Sequence, residues 1–256
     1  YISLRYAHNL AEGRGLVYNA GEFVEGYTNF LWTLLLVPSH WFSSEPEAYL
    51  HGLCLLSFAA LLGVTFRFCR AAAGSEWIGA IGLAAVGLSL PVQASATSGL
   101  ATAFQTVIVL TAWHVWHHRP PGSIRRLVIL AVLASVAGLT RLDSGLLLLP
   151  LGLFVVAEGL RDEGDLSARA WPFWAASAGP VVVLIGGWFA WKIAYYGELL
   201  PNTFVAKTGV PLFGRGFDYI SLFTEATFAA VPLFATLAML YVDAREQRHS
   251  DRLLVG

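Results

Sequence analysis

Apolar residues in this chain fall into long blocks separated by short polar connections. The blocks lie at about 30–42, 48–66, 77–91, 99–116, 127–140, 144–160, 172–194 and 223–242. The run Trp77 to His118, 42 residues, contains no Asp, Glu, Lys or Arg, and Ala48–Phe66 is also free of them. A bilayer core is crossed by about 20 residues of helix. Backbone polar groups cannot go unpaired in lipid, so such blocks are expected to be helices. The pattern predicts an all-α, polytopic transmembrane helical protein. Blocks 30–42 and 127–140 are short, so they need flanking residues or do not cross alone. Trp41, Trp77, Trp113, Trp116, Trp171, Trp174, Trp188 and Trp191 sit near block ends, as an interfacial aromatic belt requires.

Composition agrees. The chain is 56% hydrophobic and 13% charged, with mean hydropathy +0.61, where a soluble domain carries about 25% charged residues. The net charge of −1 and the lack of a basic block give no sign of a nucleic-acid partner. Cys54 and Cys69 are too few for a disulfide framework and read as buried, inert thiols. The chain opens inside a polar motif without a Met, shows no signal peptide, and ends just after a charged loop. It therefore reads as a piece of a longer protein, cut at both ends. The organisation expected is a loop over 1–29 with a juxtamembrane helix, then a transmembrane domain over 30–256 with seven or eight hydrophobic segments.

The basic connections set the expected orientation. His117-His118-Arg119 with Arg125-Arg126, the pair Arg67 and Arg70, and the pair Arg245 and Arg248 belong in the cytoplasm by the positive-inside rule. Counting crossings then gathers Gln93–Ser98, Arg141–Ser144 and Tyr195–Leu222 outside. If 30–42 and 48–66 both cross, residues 1–29 fall on the opposite side. They join these loops if one of the two does not cross fully or the charge rule fails locally. Block 30–42, short and ending in Pro38-Ser39-His40-Trp41, suits an interfacial or re-entrant helix.

Four polar blocks are candidates for chemistry. In the first, Arg5, Tyr6 and Asn9 share one helical face opposite Leu4, Ala7 and Leu10, and Glu22, Glu25, Tyr27 and Asn29 follow. Carboxylates, amides and phenols grip sugar hydroxyls, and Arg grips phosphate. The same block also reads as an amphipathic interfacial helix with solvated charges. The second is Thr140-Arg141-Leu142-Asp143-Ser144, either a phosphate site or a plain helix-hairpin turn with a snorkelling Arg. The third runs from Tyr195-Tyr196-Gly197 through Pro201-Asn202-Thr203 to Lys207, a ligand loop or an aromatic belt with a capped turn. The fourth, Pro91 to Gly99, reads as a turn with Ser98 near a helix start. His114, His117 and His118 have a spacing that could hold a metal but read better as surface residues. No Walker, GxSxG or HExxH motif is present.

The run YISLRYAHNLAEGRGLVYNAGEFVEGYTNFLWT resembles the first extracytoplasmic loop of bacterial GT-C glycosyltransferases. Within that family the likeness is to the branch that includes the mycobacterial terminal arabinofuranosyltransferases. ATSGLATAF, TRLDS and YYGELLPNTFVAK follow in the order of that family's later loops, so the resemblance spans roughly positions 1–207.

The resemblance implies a multi-pass plasma-membrane enzyme of GT-C fold with its active site outside. It implies a polyprenyl-phosphate sugar donor, with arabinofuranose the closest sugar, and a glycan or lipid acceptor in cell-wall assembly. By carry-over, Arg141 and Lys207 would face the donor phosphate, with Asn202 and Thr203 shaping that pocket. Arg5, Tyr6, Asn9, Glu22, Glu25, Tyr27, Asn29 and Asp143 would line the sugar and acceptor cleft. The general base, an Asp, is expected among residues ahead of Tyr1. No cofactor is implied with certainty, and a divalent cation stays open. Two departures stand out: the family's SGLET has Ala101 in place of Glu, and its TRPDG-like block reads TRLDS here. A transport protein or a non-catalytic binder of lipid-linked sugars is the alternative.

Overall fold

A computed structural model describes residues 2–42, 45–162 and 171–202, with 218, 220–222 and 224. Among these residues every regular element is helical. The chain divides into Tyr1–Lys207 and Thr208–Gly256. In the second unit the described residues, Asp218, Ile220, Ser221, Leu222 and Thr224, are helical. Apart from Thr224, the expected segment at 223–242 lies outside the described residues, as do the Arg245 and Arg248 cluster and the candidate ligands Thr203 and Lys207.

The first unit is a succession of helices: α1 (Ile2–Ala11), α2 (Phe30–Leu36), α3 (Ser39–Phe42), α4 (Pro46–Ala73), α5 (Glu76–Gly87) and α6 (Leu90–Thr97). After these come α7 (Thr102–His118), α8 (Ile124–Thr140), α9 (Ser144–Asp162), α10 (Trp171–Val181) and α11 (Gly187–Tyr196), with a π-helical turn at Val182–Gly186 between the last two. Local chemistry sets the ends. Pro46 opens α4, where its missing N–H costs nothing. Gly74 and Gly197 close α4 and α11 in the left-handed conformation that glycine adopts freely. Pro180 denies its helix a hydrogen bond, and the π-turn that follows absorbs the defect within one continuous rod.

Among the described residues two helical rods are long and apolar enough to cross a membrane, Pro46–Ala73 and Trp171–Tyr196; α5 and α6, bent by 62° at their junction, make a third if taken as one broken span. This is fewer than the seven or eight segments read from the sequence. Block 77–91 is interrupted because Ser89 is extended and Pro91 restarts the helix. The block starting at 99 turns helical only from Thr102, because Gly99 sits at φ +78°. Residues 30–42 form two short helices broken at Val37-Pro38. At about 1.5 Å per residue such a piece is too short to cross a core of about 30 Å.

Helix α4 packs on α5 and α7, and α8 packs on α7 and α10. One apolar core joins Leu4, Ala7, Trp32, Leu36, Leu50 and Cys54, tying α1 and α2 to the first long rod. A second joins Ile108, Ala112, Leu130, Ala137, Leu148 and Leu151 between α7, α8 and α9. Leu55, Leu56, Trp77, Ile81, Leu146, Leu153, Val182 and Val183 face outward. An outer surface this apolar is what lipid contact requires.

Candidate functional site at one end of the bundle

The polar blocks meet at one end of the helices, and the loop after α1 is their scaffold. Tyr6 and Asn9 organise that loop. Tyr6 Oη donates to the Val24 carbonyl at 2.7 Å and accepts from the Gly26 N–H at 2.8 Å. Asn9 Nδ2 donates to the carbonyls of Val17 and Tyr18, and its Oδ1 accepts from Arg14. Both side chains are 1% exposed. The sequence put Tyr6 and Asn9 on a polar face beside Arg5. The structure turns them inward, because the loop's backbone carbonyls need donors in an apolar setting. Arg5 alone of the three is exposed, and it donates to the Tyr18 carbonyl.

The loop is latched to α11. The Leu16 N–H donates to Tyr195 Oη at 2.9 Å, and Tyr196 Oη donates to the Leu16 carbonyl at 2.6 Å. Tyr27 Oη lies 3.1 Å from Tyr196 Oη. Burial holds the Tyr27 phenol far above its ordinary pKa, so it stays neutral. The Asn202 N–H donates to the Glu25 carbonyl at 3.0 Å, which joins the third polar block to the first.

A cleft of about 290 Å³ opens where three blocks converge. Ser3, Tyr27, Thr28 and Asn29 come from the first block, Ser98, Gly99 and Ala101 from the fourth, and Arg141 from the second. Trp32, fully buried, donates Nε1 to the Gly99 carbonyl at 3.3 Å and fixes the fourth block against α2. Asn29 Oδ1 accepts from Ser3 and Thr33. Ala101, where the resemblance expects Glu, is a cleft wall at 1% exposure. The described lining thus has one guanidinium, several hydroxyls and an amide, and no carboxylate.

Arg141 is held by Asp143 through Nε and Nη2, the latter at 2.6 Å. These bonds keep the Asp143 carboxyl below the usual carboxylate range and push Arg141 up. Gln105 Nε2, on α7, donates to Asp143 Oδ1 at 3.0 Å and to Ser144 Oγ at 2.8 Å, and Ser144 donates to the Ala137 carbonyl. The side chain of Arg141 is still 36% exposed, so a free part of the guanidinium reaches the cleft.

A second, smaller pocket of about 170 Å³ is lined by Phe23, Glu25, Tyr196, Glu198 and Asn202 among others. Behind Glu25 stands Lys192 of α11. Its Nζ is 2.6 Å from Glu25 Oε2, and the two side chains are 1% and 4% exposed. Neither atom has a hydrogen bond of good alignment, so this is an ion pair in a dry setting. Lys192 also lies over the rings of Trp188 and Phe189. Burial lifts the Glu25 carboxyl above its ordinary range, and Lys192 pulls it partly back.

Of the sequence-predicted residues, Tyr27, Asn29 and Arg141 line the cleft, and Glu25 and Asn202 line the pocket. Asp143 orients Arg141. Tyr6 and Asn9 build the loop, while Arg5 and Glu22 are exposed outside both linings, Glu22 accepting from Asn19. Gln105 and Lys192 were missed. Each carried a signal: Gln105 is the lone polar amide in an apolar helix, and Lys192 the lone charge between Trp171 and Tyr196. A histidine and arginine cluster lies at the other end of the helices. There Phe68 meets the His114 and His117 rings edge-on, and Arg126 pairs with Glu158 at 3.0 Å over the Trp116 ring. Among the described residues no group of three or more His, Cys, Asp or Glu could hold a metal ion, the histidine cluster included.

The chain is 27% identical over 265 residues to the terminal β-(1→2)-arabinofuranosyltransferase of Mycobacterium tuberculosis (strain ATCC 25618 / H37Rv). The likeness is to a glycosyltransferase. It covers 96% of this chain and 40% of that protein, so the chain spans about two fifths of the length of the curated relative it matches. No family model matches, and no solved structure matches. The relationship and the apolar rods together support a membrane protein related to glycosyltransferases.

Proposed function

We propose that the cleft around Arg141 is the donor site of a membrane glycosyltransferase that moves a sugar from a polyprenyl phosphate to a hydroxyl of a glycan or lipid outside the cell. The observation that carries the reading is the convergence of the polar blocks on a cleft whose described lining has one cation and no carboxylate. Such a lining favours an anion. In the reaction the acceptor oxygen bonds to the anomeric carbon, the bond from that carbon to phosphate oxygen breaks, and the electron pair leaves with polyprenyl phosphate. The acceptor's proton passes to a carboxylate base, which the resemblance expects ahead of Tyr1. Arg141, oriented by Asp143 and Gln105, offsets the charge growing on the leaving phosphate. Outward-facing apolar helices let the polyprenyl chain stay in lipid while its phosphate reaches the cleft. Lys207 and Thr203 belong to the same proposed site as second cation and hydroxyl.

Arabinofuranose is the sugar proposed, because the relative's name carries it. The relative also favours transfer over transport or passive binding. The test is transfer of label from polyprenyl-phosphate arabinose to a membrane glycan by the intact protein. Transfer is the expected result. Its absence across arabinose and other polyprenyl-phosphate sugars, with the protein folded, would overturn the reading.

A further inference from the structure

The two cavities share one short segment and have opposite chemistry. Residues 26–29 help to line the Arg141 cleft, and residues 23–25 help to line the smaller pocket. The pocket's described lining holds the exposed Glu198, with Tyr196, Asn202 and Glu25, the last 4% exposed with its charge offset by Lys192 behind it, and no cation. A phosphate or a uronic acid entering it would meet the Glu198 carboxylate with no lining cation to offset it. A neutral polyol would not, because carboxylates accept hydrogen bonds from hydroxyls with about twice the strength of neutral acceptors. Phe23, packed edge-on against Tyr195 with ring centroids 5.2 Å apart, gives the pocket an apolar wall for the carbon face of a sugar ring.

Lys192 makes sense in this setting. A lone charge in a membrane-length helix is costly and needs a partner. Its partner is Glu25, a residue of the pocket lining, with Oε2 on Nζ. The Asn202 N–H fixes the backbone of the same residue from the other wall.

We propose that this pocket is a subsite for a neutral polyol, the acceptor sugar, with Glu25, Glu198 and Asn202 as hydrogen-bond partners and Lys192 as the positioning residue behind Glu25. The inference rests on the sugar-transfer reading and adds which cavity takes which reactant.

The test is binding without turnover. The intact protein in detergent is titrated with methyl α-D-arabinofuranoside, and with methyl glucuronide as the anionic counterpart, by saturation-transfer NMR with no donor present. The neutral glycoside binds and the glucuronide does not. Glu198→Gln, on an exposed side chain, weakens the glycoside roughly tenfold, the size of one hydrogen bond to a charged group. The double variant Glu25→Gln with Lys192→Met removes both buried charges together, keeps the fold and abolishes binding. Lys192→Met alone weakens binding, and Lys192→Arg restores it. Equal affinity for the glycoside in wild type, E198Q and the double variant would overturn the subsite, as would equal binding of the glucuronide. A Lys192→Met variant that melts lower but binds normally would make Lys192 structural only. These outcomes are independent of transfer: a protein that transfers sugar but fails this titration loses the subsite and keeps the enzyme reading, and the converse result does the opposite.

Discussion

Glu25 and Lys192 illustrate how much a single pair can hold in place. Each is almost without solvent, and each has the other as its ionic partner at 2.6 Å. Removing one partner leaves a bare charge in a dry site, which costs about 3–5 kcal/mol, whereas replacing both by neutral groups of similar volume is often close to neutral. Glu25→Gln is therefore expected to lower the melting temperature of the detergent-solubilised protein sharply, and the Glu25→Gln/Lys192→Met double variant to recover most of the loss. Equal melting of the single and double variants would show that the pair is not coupled. Residue types and order alone did not reveal this pair, since 167 positions separate Glu25 from Lys192 (192 − 25) and nothing local points one at the other. Arg141 and Asp143 were legible because both partners sit in one five-residue turn.

At the scale of elements, the latch between the first loop and α11 decides whether the site is assembled. Gly15 is in the left-handed region at φ +91°, and a Cβ there would collide with Tyr195 Oη, the atom that accepts from the Leu16 N–H. Gly15→Ala thus strains the backbone and breaks the latch at once. The expected loss is about 1–3 kcal/mol of stability, with faster proteolysis of residues 12–29; an unchanged cleavage pattern would argue against the latch. Gly13, Gly15 and Gly21 all take positive φ. The sequence marked the helical blocks well, because hydrocarbon length is a property of composition. It marked their breaks poorly. The 62° bend between α5 and α6 arises from Ser89 and Pro91 inside one apolar block, and the π-turn arises from Pro180 inside another. Tyr6 and Asn9 were misplaced for a related reason: a helical wheel sees polarity, not the unpaired carbonyls of a loop that folds back over it.

Across the first unit, the polar blocks lie at one end and the His114–His118, Arg126 and Glu158 cluster at the other. That separation follows from the helical connectivity. The resulting site has an arginine cleft, a carboxylate pocket and a shared segment at 23–29 between their linings. In the proposed reaction Arg141 receives the donor's phosphate. The most direct measurement is binding of polyprenyl phosphate, the leaving group itself, to the intact protein and to Arg141→Ala, each checked for an unchanged melting temperature. Arg141 is part-exposed and held mainly by Asp143, so its loss should leave the fold intact. Polyprenyl phosphate binding is expected to weaken at least tenfold in Arg141→Ala, the cost of one charge-assisted contact. Equal affinity in the two folded proteins would contradict it.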